Sequence, residues 1–445
     1  MPDGFLDIIR RQRGGGNYAG DQYGGAGGGD ARGLPTGGPG EFMFATGIEC
    51  SNPTIDHGRT RRDMLAECGH YERYREDFAL VRGLGLKVLR YGLPIHRVFL
   101  GPDRYDWEFA DAAMAEMQRL GINPILDLLH FGVPDWLGNF QNPELPLHFA
   151  NYCGAVARRY PWVRMYTPVN EIYVSARVSA LEGRWNEQLK SDRGFVTALK
   201  HLVAASILGN QAICELRPDA IIVQSESAEF THEARAVPTP AVTLVNKQRF
   251  LALDLLYARP PDADICMWMT DHGLSRDEYL WFMAGEPPGH QIMGNDYYGR
   301  NERIIKPDGS ICGAEDVMGW YQITHEYYLR YRRPVMHTET NVGDPAAACA
   351  WLWKQWVNIM RMRHDGVPVL GFTWYSLIDQ IDWDTVLAEK NDRTFRCGLY
   401  DLNRNPNPVA KEYVNLVSEF GRITLMPHGE MFDLTTRSAV LKVEV

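Results

Sequence analysis

Two glutamates close short apolar segments: Glu171 in Y-T-P-V-N-E-I and Glu339 in P-V-M-H-T-E-T-N. A carboxylate at the end of a buried strand is poorly placed to stabilise a core, because burial penalises its charge. Two of them on well-separated strands can instead flank one scissile bond. Glycoside cleavage needs one carboxylic acid to protonate the departing oxygen and one carboxylate to act at the anomeric carbon; a separation of about 5–5.5 Å gives retention, and roughly 6.5–9.5 Å gives inversion. Sequence spacing does not choose between the two distances. The neighbours do suggest roles. Arg90 favours an ionised partner, which suits a nucleophile at Glu339. Asn170, directly before Glu171, can bond a sugar hydroxyl. Glu171 is then the group that keeps its proton and later serves as base.

Other polar and aromatic residues gather near the same segments. His130 opens H-F-G-V-P-D-W-L, and its imidazole together with the Trp136 indole suits hydroxyl binding and ring stacking. W-Y-S-L-I-D-Q-I-D-W-D carries Trp374, Trp383 and Asp382, a mixture better suited to a sugar-lined cleft than to a core, with Asp382 as the candidate to grip hydroxyls. Glu226, Glu229 and His232 form a further polar cluster that fits a cleft wall or a solvated face equally well.

The elements that must position these groups follow from periodicity. Apolar runs occur at 42–48, 87–91, 124–130, 163–171, 221–225, 292–298, 335–339 and 369–374, each too short for an ordinary helix. Amphipathic segments lie between them; in the one opening at Asp106, read as an N-cap, Phe109, Ala113, Met117 and Leu120 share a face. Gly83, Gly85, Gly121 and Gly366 precede strands and suit helix C-caps. Eight strand–helix units predict a (β/α)8 barrel with enlarged βα loops, whose active site lies at the C-terminal strand ends. Arg90, His130, Asn170, Glu171, Tyr298, Glu339 and Trp374 all stand at such ends. An open doubly wound sheet is disfavoured, since no Gly-rich nucleotide turn follows the first strand. The expected organisation is a flexible Gly-rich leader over 1–40, a catalytic barrel over 41–422 and a C-terminal extension over 423–445, whose last residues alternate like an edge strand.

Composition narrows the partners. The chain has 445 residues, 45% hydrophobic and 11% aromatic, with net charge −10. No run of Lys or Arg exceeds a pair such as Arg61-Arg62 or Arg332-Arg333, so nucleic acid is not an expected partner. The 8 cysteines are scattered, without C-x-x-C or Cys/His clustering, which argues against structural zinc and a disulfide framework. No metal or cofactor is expected. Neither a secretory signal nor a membrane-spanning apolar stretch is visible, so a cytoplasmic location is the expectation, with oligomeric state open.

In order along the chain, these landmarks resemble glycoside hydrolase family 1, the β-glucosidase family. They are Arg90, His130 with P-x-W-L and Asn142-Pro143-Glu144, a T-x-N-E-P-like motif (Thr167 to Glu171) and a G-x-N-Y-Y-like motif (Gly294 to Tyr298). Glu339 in a T/I-E-N-G-like motif, a W-S-L-x-D-N-F-E-W-like segment (Ser376 to Trp383) and a closing G-L-Y-D-L-N complete the set. The likeness runs from about Glu41 to about Leu416. It implies a retaining β-glycosidase, exo-acting on β-glucoside-like substrates, with Glu171 as acid/base, Glu339 as nucleophile and Tyr298 bonding the nucleophile. A transglycosidase using the same intermediate, or a non-catalytic carbohydrate-binding barrel, are the alternatives. Departures are informative. G-I-E-C-S-N stands in place of Q-x-E-G, Ile172 replaces the proline after the acid/base, and Thr340-Asn341 replaces Asn-Gly. Asp382 stands where a glutamate is usual and Tyr375 where a tryptophan is usual. An acidic Asp382 would repel phosphate, which disfavours 6-phospho-sugars.

Overall fold

Each of the eight apolar runs forms a strand, and in the computed structural model they close into one parallel barrel. The structure describes residues 4–12, 42–234, 238–314 and 316–423. The strands are Met43–Ile48, Val88–Gly92, Asn123–Asp127, Met165–Thr167, Ile221–Ser227, His290–Asp296, Val335–Glu339 and Val369–Trp374. They pair in chain order, and the eighth closes on the first through the register Met43↔Gly371 to Thr46↔Trp374. The expected (β/α)8 fold is therefore the fold observed.

The barrel strands are buried at nearly every position, as strands covered by helices outside and by packed side chains inside must be. Outside them lie amphipathic helices such as Glu108–Leu120, which buries Ala110, Ala113, Met114 and Met117. Its N-cap is Trp107 rather than Asp106; the Asp106 carboxylate accepts from the Glu108 N–H at 3.0 Å from one residue further out. The C-cap is Gly121 at φ 65°, the left-handed position that the sequence reading assigned to a glycine.

Strand ends are where sequence and structure part. The third strand stops at Asp127, not His130, and the fourth at Thr167, not Glu171. In both places the chain leaves the sheet early, so the chemically active residues sit on the loop that follows. The leader also begins with structure. Phe5–Gln12 is a helix whose Phe5, Leu6 and Ile9 are buried, with the Phe5 ring 5.5 Å from Trp281 and 5.8 Å from His201. Its spacing of apolar residues supplies a one-sided face that Gly-rich sequence cannot. The rest of the leader and the alternating tail beyond Ile423 lie outside the described residues. Among the described residues, no helix is long and apolar enough to cross a membrane.

Candidate active site

Glu339 ends the seventh strand, and its surroundings come from the second strand and from the segments that follow the first, third, fourth and sixth. Arg90, in the second strand, places Nη1 2.7 Å from Glu339 Oε1 and 2.8 Å from Glu49 Oε1, while Nη2 donates to Asn170 Oδ1 at 3.0 Å. From beyond the sixth strand, the Tyr298 hydroxyl donates to Glu339 Oε2 at 2.6 Å. Burial by itself would raise the Glu339 pKa and is the largest influence on it. The Arg90 guanidinium, His130 and the Tyr298 hydroxyl together outweigh burial and hold this carboxyl below the usual glutamate range.

Glu171 is placed by different means. It is the N-cap of the short helix Ile172–Ala176 and adopts φ 41°, ψ 63°, a left-handed conformation that costs a residue with a Cβ about 1–3 kcal/mol. Backbone contacts secure it: the Glu171 N–H donates to Ser225 O at 2.9 Å, and Ser175 N–H donates to Glu171 O at 2.8 Å. The carboxylate of Glu226, on the fifth strand, accepts from the next two amides, Ile172 N–H at 2.9 Å and Tyr173 N–H at 3.3 Å. Ile172 stands where the sequence pattern expects proline, so the amide that proline would lack finds its acceptor in Glu226. Burial raises the Glu226 pKa to about 8. Glu171 itself is held well above the usual range, first by burial and then by the charges of Asp296, Glu339, Glu226 and Glu229. No side-chain or backbone donor reaches its carboxylate among the described residues.

Beneath the pair lies a buried polar floor. His130 Nδ1 is 2.5 Å from Asp127 Oδ2, and its Nε2 is 3.3 Å from Asn170 Nδ2. Glu49, Asp127 and His130 bring donor atoms within 4.8 Å of one another, a cluster with the chemistry to ligate a metal. Arg90, against Glu49, already supplies a cation at that point. Gly47 belongs to the same floor: a Cβ there would come 2.6 Å from the Tyr375 ring, so only glycine lets that ring lie against the first strand.

Above the floor opens a cavity of ≈ 290 Å³, lined by Glu171 and Glu339 and walled by Phe131, Val174, Tyr298, Tyr375, Trp383 and Phe395, among others. A closed parallel barrel thus brings a strand-end glutamate, Glu339, and a helix-capping glutamate, Glu171, to face one cavity. Aryl-phospho-β-D-glucosidase BglA of Bacillus subtilis is 34% identical over 430 residues, spanning 81% of this chain and 86% of the relative. The chain belongs to glycosyl hydrolase family 1. The family model described as glycosyl hydrolase family 1 matches residues 48–233. A 6-phospho-β-glucosidase of Clostridium longisporum is 28% identical, over 72% of this chain and 78% of its own length. The β-glucosidase of Thermotoga maritima, solved with deoxynojirimycin, superposes with a TM-score of 0.71 at 18% identity, over 85% of this chain and 98% of that one. The protein is thus a glycoside hydrolase on the family 1 barrel.

Within this family 1 site, the residues singled out in the sequence divide into three groups. Glu171, Glu339, Tyr298 and Trp383 face the cavity. Arg90, His130 and Asn170 lie in the floor, at or near complete burial. The structure does not bring Trp136, Trp374 or Asp382 to the cavity wall. Trp136 donates its indole N–H to Phe99 O at 2.8 Å, and Trp374 donates to Cys397 O at 3.0 Å. Asp382 is fully buried and accepts from the backbone amides of Asn391, Asp392 and Arg393, with Arg62 Nη2 at 3.1 Å. Sequence reading also passed over Asp127 and Asp296. Asp296 ends the sixth strand and accepts from Ser225 Oγ at 2.6 Å; its position as a strand-end carboxylate was the available signal.

Proposed function

We propose that the protein is a retaining, exo-acting β-glycosidase for β-glucoside-like substrates, with Glu339 as nucleophile and Glu171 as acid/base. The observation that carries this reading is the opposite electrostatic setting of two carboxyls facing one cavity. Glu339, held ionised by Arg90 and Tyr298, attacks the anomeric carbon, forming the glycosyl–enzyme bond as the bond to the leaving oxygen breaks. Glu171 delivers its proton to that oxygen. Once Glu339 is esterified its charge is gone, so Glu171 ionises more readily, takes a proton from water and directs the hydroxide equivalent to the anomeric carbon, releasing Glu339.

Tyr375 and Trp383 supply ring faces for the sugar. A floor closed by buried side chains favours binding of a terminal sugar over an internal one. Asp382, expected to repel phosphate, is consumed by backbone amides and does not face the cavity, so that objection to 6-phosphoglucosides lapses. Incubation with activated 2-deoxy-2-fluoro β-glucosides, with and without a 6-phosphate, followed by intact mass and peptide mapping, tests the assignment. One added sugar on Glu339 is expected. A single-step inversion, with no adduct despite turnover of the parent glycoside, would refute it.

A further inference from the structure

Outside the catalytic pair, the cavity wall is basic in a chain of net charge −10: Arg177, Arg184, Arg300 and Arg303 face it with only Glu182 and Glu229. Both glutamates are already shared. Glu229 pairs with Arg177 at 2.7 Å and with Arg303 at 3.1 Å, while Glu182 pairs with Arg177 at 2.9 Å and lies 3.8 Å from Arg184. Arg300 differs from the other three: no carboxylate pairs with it among the described residues. Its Nη1 donates to the Trp383 carbonyl at 2.9 Å, and its guanidinium lies 5.3 Å from the Tyr298 ring and 5.5 Å from the Trp383 ring. The two aromatic faces and one carbonyl fix the guanidinium plane while Nε and Nη2 stay uncommitted. A planar cation held in this way is pre-organised for a carboxylate or phosphate.

We propose that the outer cavity binds a leaving group bearing an anionic substituent, a carboxylate or phosphate, and that Arg300 grips it. This rests on the glycosidase reading above. The anion belongs to the leaving group because the acid that protonates the departing oxygen must stand beside it. Arg177 lies on the helical turn that continues directly from the helix opened by Glu171. Arg300 is exposed at the mouth, whereas Glu339 and Tyr375 are buried, so the sugar occupies the deeper space.

The test compares a carboxylated and a neutral aryl β-glucoside of matched leaving-group acidity, in the native protein and in Arg300→Gln and Arg300→Glu. The ratio of kcat/KM, carboxylated over neutral, should fall about tenfold or more in Arg300→Gln, as expected for loss of one hydrogen bond to a charged group. It should fall further in Arg300→Glu, and raised ionic strength should shrink the native preference. An unchanged ratio overturns the proposal. So does a selective loss on a glucoside 6-phosphate with a neutral leaving group, which would place the anion on the sugar. If no glycoside turns over, the glycosidase reading has failed separately. Tryptophan fluorescence titration with free 4-hydroxybenzoate then decides the anion site: saturable binding weakened in Arg300→Gln supports it, and absence of saturable binding removes it.

Discussion

The two sides of the cavity solve opposite problems with opposite materials. Around Glu339 the protein supplies side-chain donors, Arg90 at 2.7 Å and Tyr298 at 2.6 Å, which stabilise a negative charge at full burial. Around Glu171 it supplies backbone geometry and neighbouring carboxylates, which hold the residue in place yet leave its carboxyl without a donor. One side is built to keep a charge, the other to keep a proton. Two chemically identical side chains thereby acquire different pKa values, which is the general way one fold runs acid and nucleophile chemistry together.

Removing either group breaks the comparison most sharply. On the proposed mechanism Glu339→Gln removes the covalent step and should lower kcat by about 10^4-fold or more on every substrate, the scale seen when a nucleophile is lost. Glu171→Gln should cost roughly 10²–10⁴-fold on alkyl glycosides and far less on activated aryl glycosides, whose departing oxygen needs little proton assistance. Equal losses in the two variants on an activated substrate would contradict the division of roles.

The same asymmetry sets the pH profile. The proposed nucleophile, Glu339, works ionised, and its pKa is depressed, so activity should persist as pH falls into the ordinary glutamate range, roughly 4. The proposed acid, Glu171, works protonated, and its pKa is raised, so activity should be lost as pH rises through that elevated value. In Glu171→Gln the alkaline limb of kcat/KM should vanish while the acid limb stays. Tyr298→Phe acts on the other limb: losing one donor moves the acid limb upward and lowers kcat about tenfold, consistent with a hydrogen bond to a charged group.

Stability should record the tension on the Glu171 side. Near pH 4 and below, both the folded and unfolded states keep this proton and no penalty arises. Above that range the unfolded chain ionises while the folded state, with its raised pKa, does not, so the folded state loses ground as pH rises. Glu171→Gln removes the penalty. Its Tm should match the native protein near pH 4 and exceed it near pH 7, by calorimetry at both values. A constant difference across pH would mean that the gain, if any, comes from elsewhere.

Legibility in the sequence followed the physics that generates each feature. Strands buried on both faces show as unbroken apolar runs, so all eight could be read from the chain, and Glu171 and Glu339 stood out as charges where charge is costly. Trp136 and Trp374 misled because an indole serves a cleft and a core carbonyl equally well, and composition does not tell these apart. Asp382 misled for a deeper reason. Its partners, Arg62 and the amides of residues 391–393, meet it only because the chain turns through left-handed conformations at Asp382, Val386, Leu387 and Asp392. Periodicity carries no signal for such a turn. Arg300 was hidden, and Glu226 was visible only as a polar residue of undecided role, since each acts through a tertiary neighbour.

Glu226 sharpens the comparison at its finest point. Its carboxylate takes the amides of Ile172 and Tyr173, and so anchors the turn that presents Glu171. Glu226→Leu leaves two buried amides without an acceptor, at about 1–3 kcal/mol for each. The turn should relax and Glu171 drift from the departing oxygen. The expected loss is about tenfold in kcat on alkyl glycosides, with KM little changed and activated aryl glycosides nearly unaffected. Adding Ile172→Pro removes one of the orphaned amides, and the first position of a helix accepts proline without losing a helical bond. The double variant should therefore recover several-fold over Glu226→Leu, even though Ile172→Pro alone gives no gain. If Glu226 contributed only bulk stability, both substrate classes would fall together and proline would rescue neither.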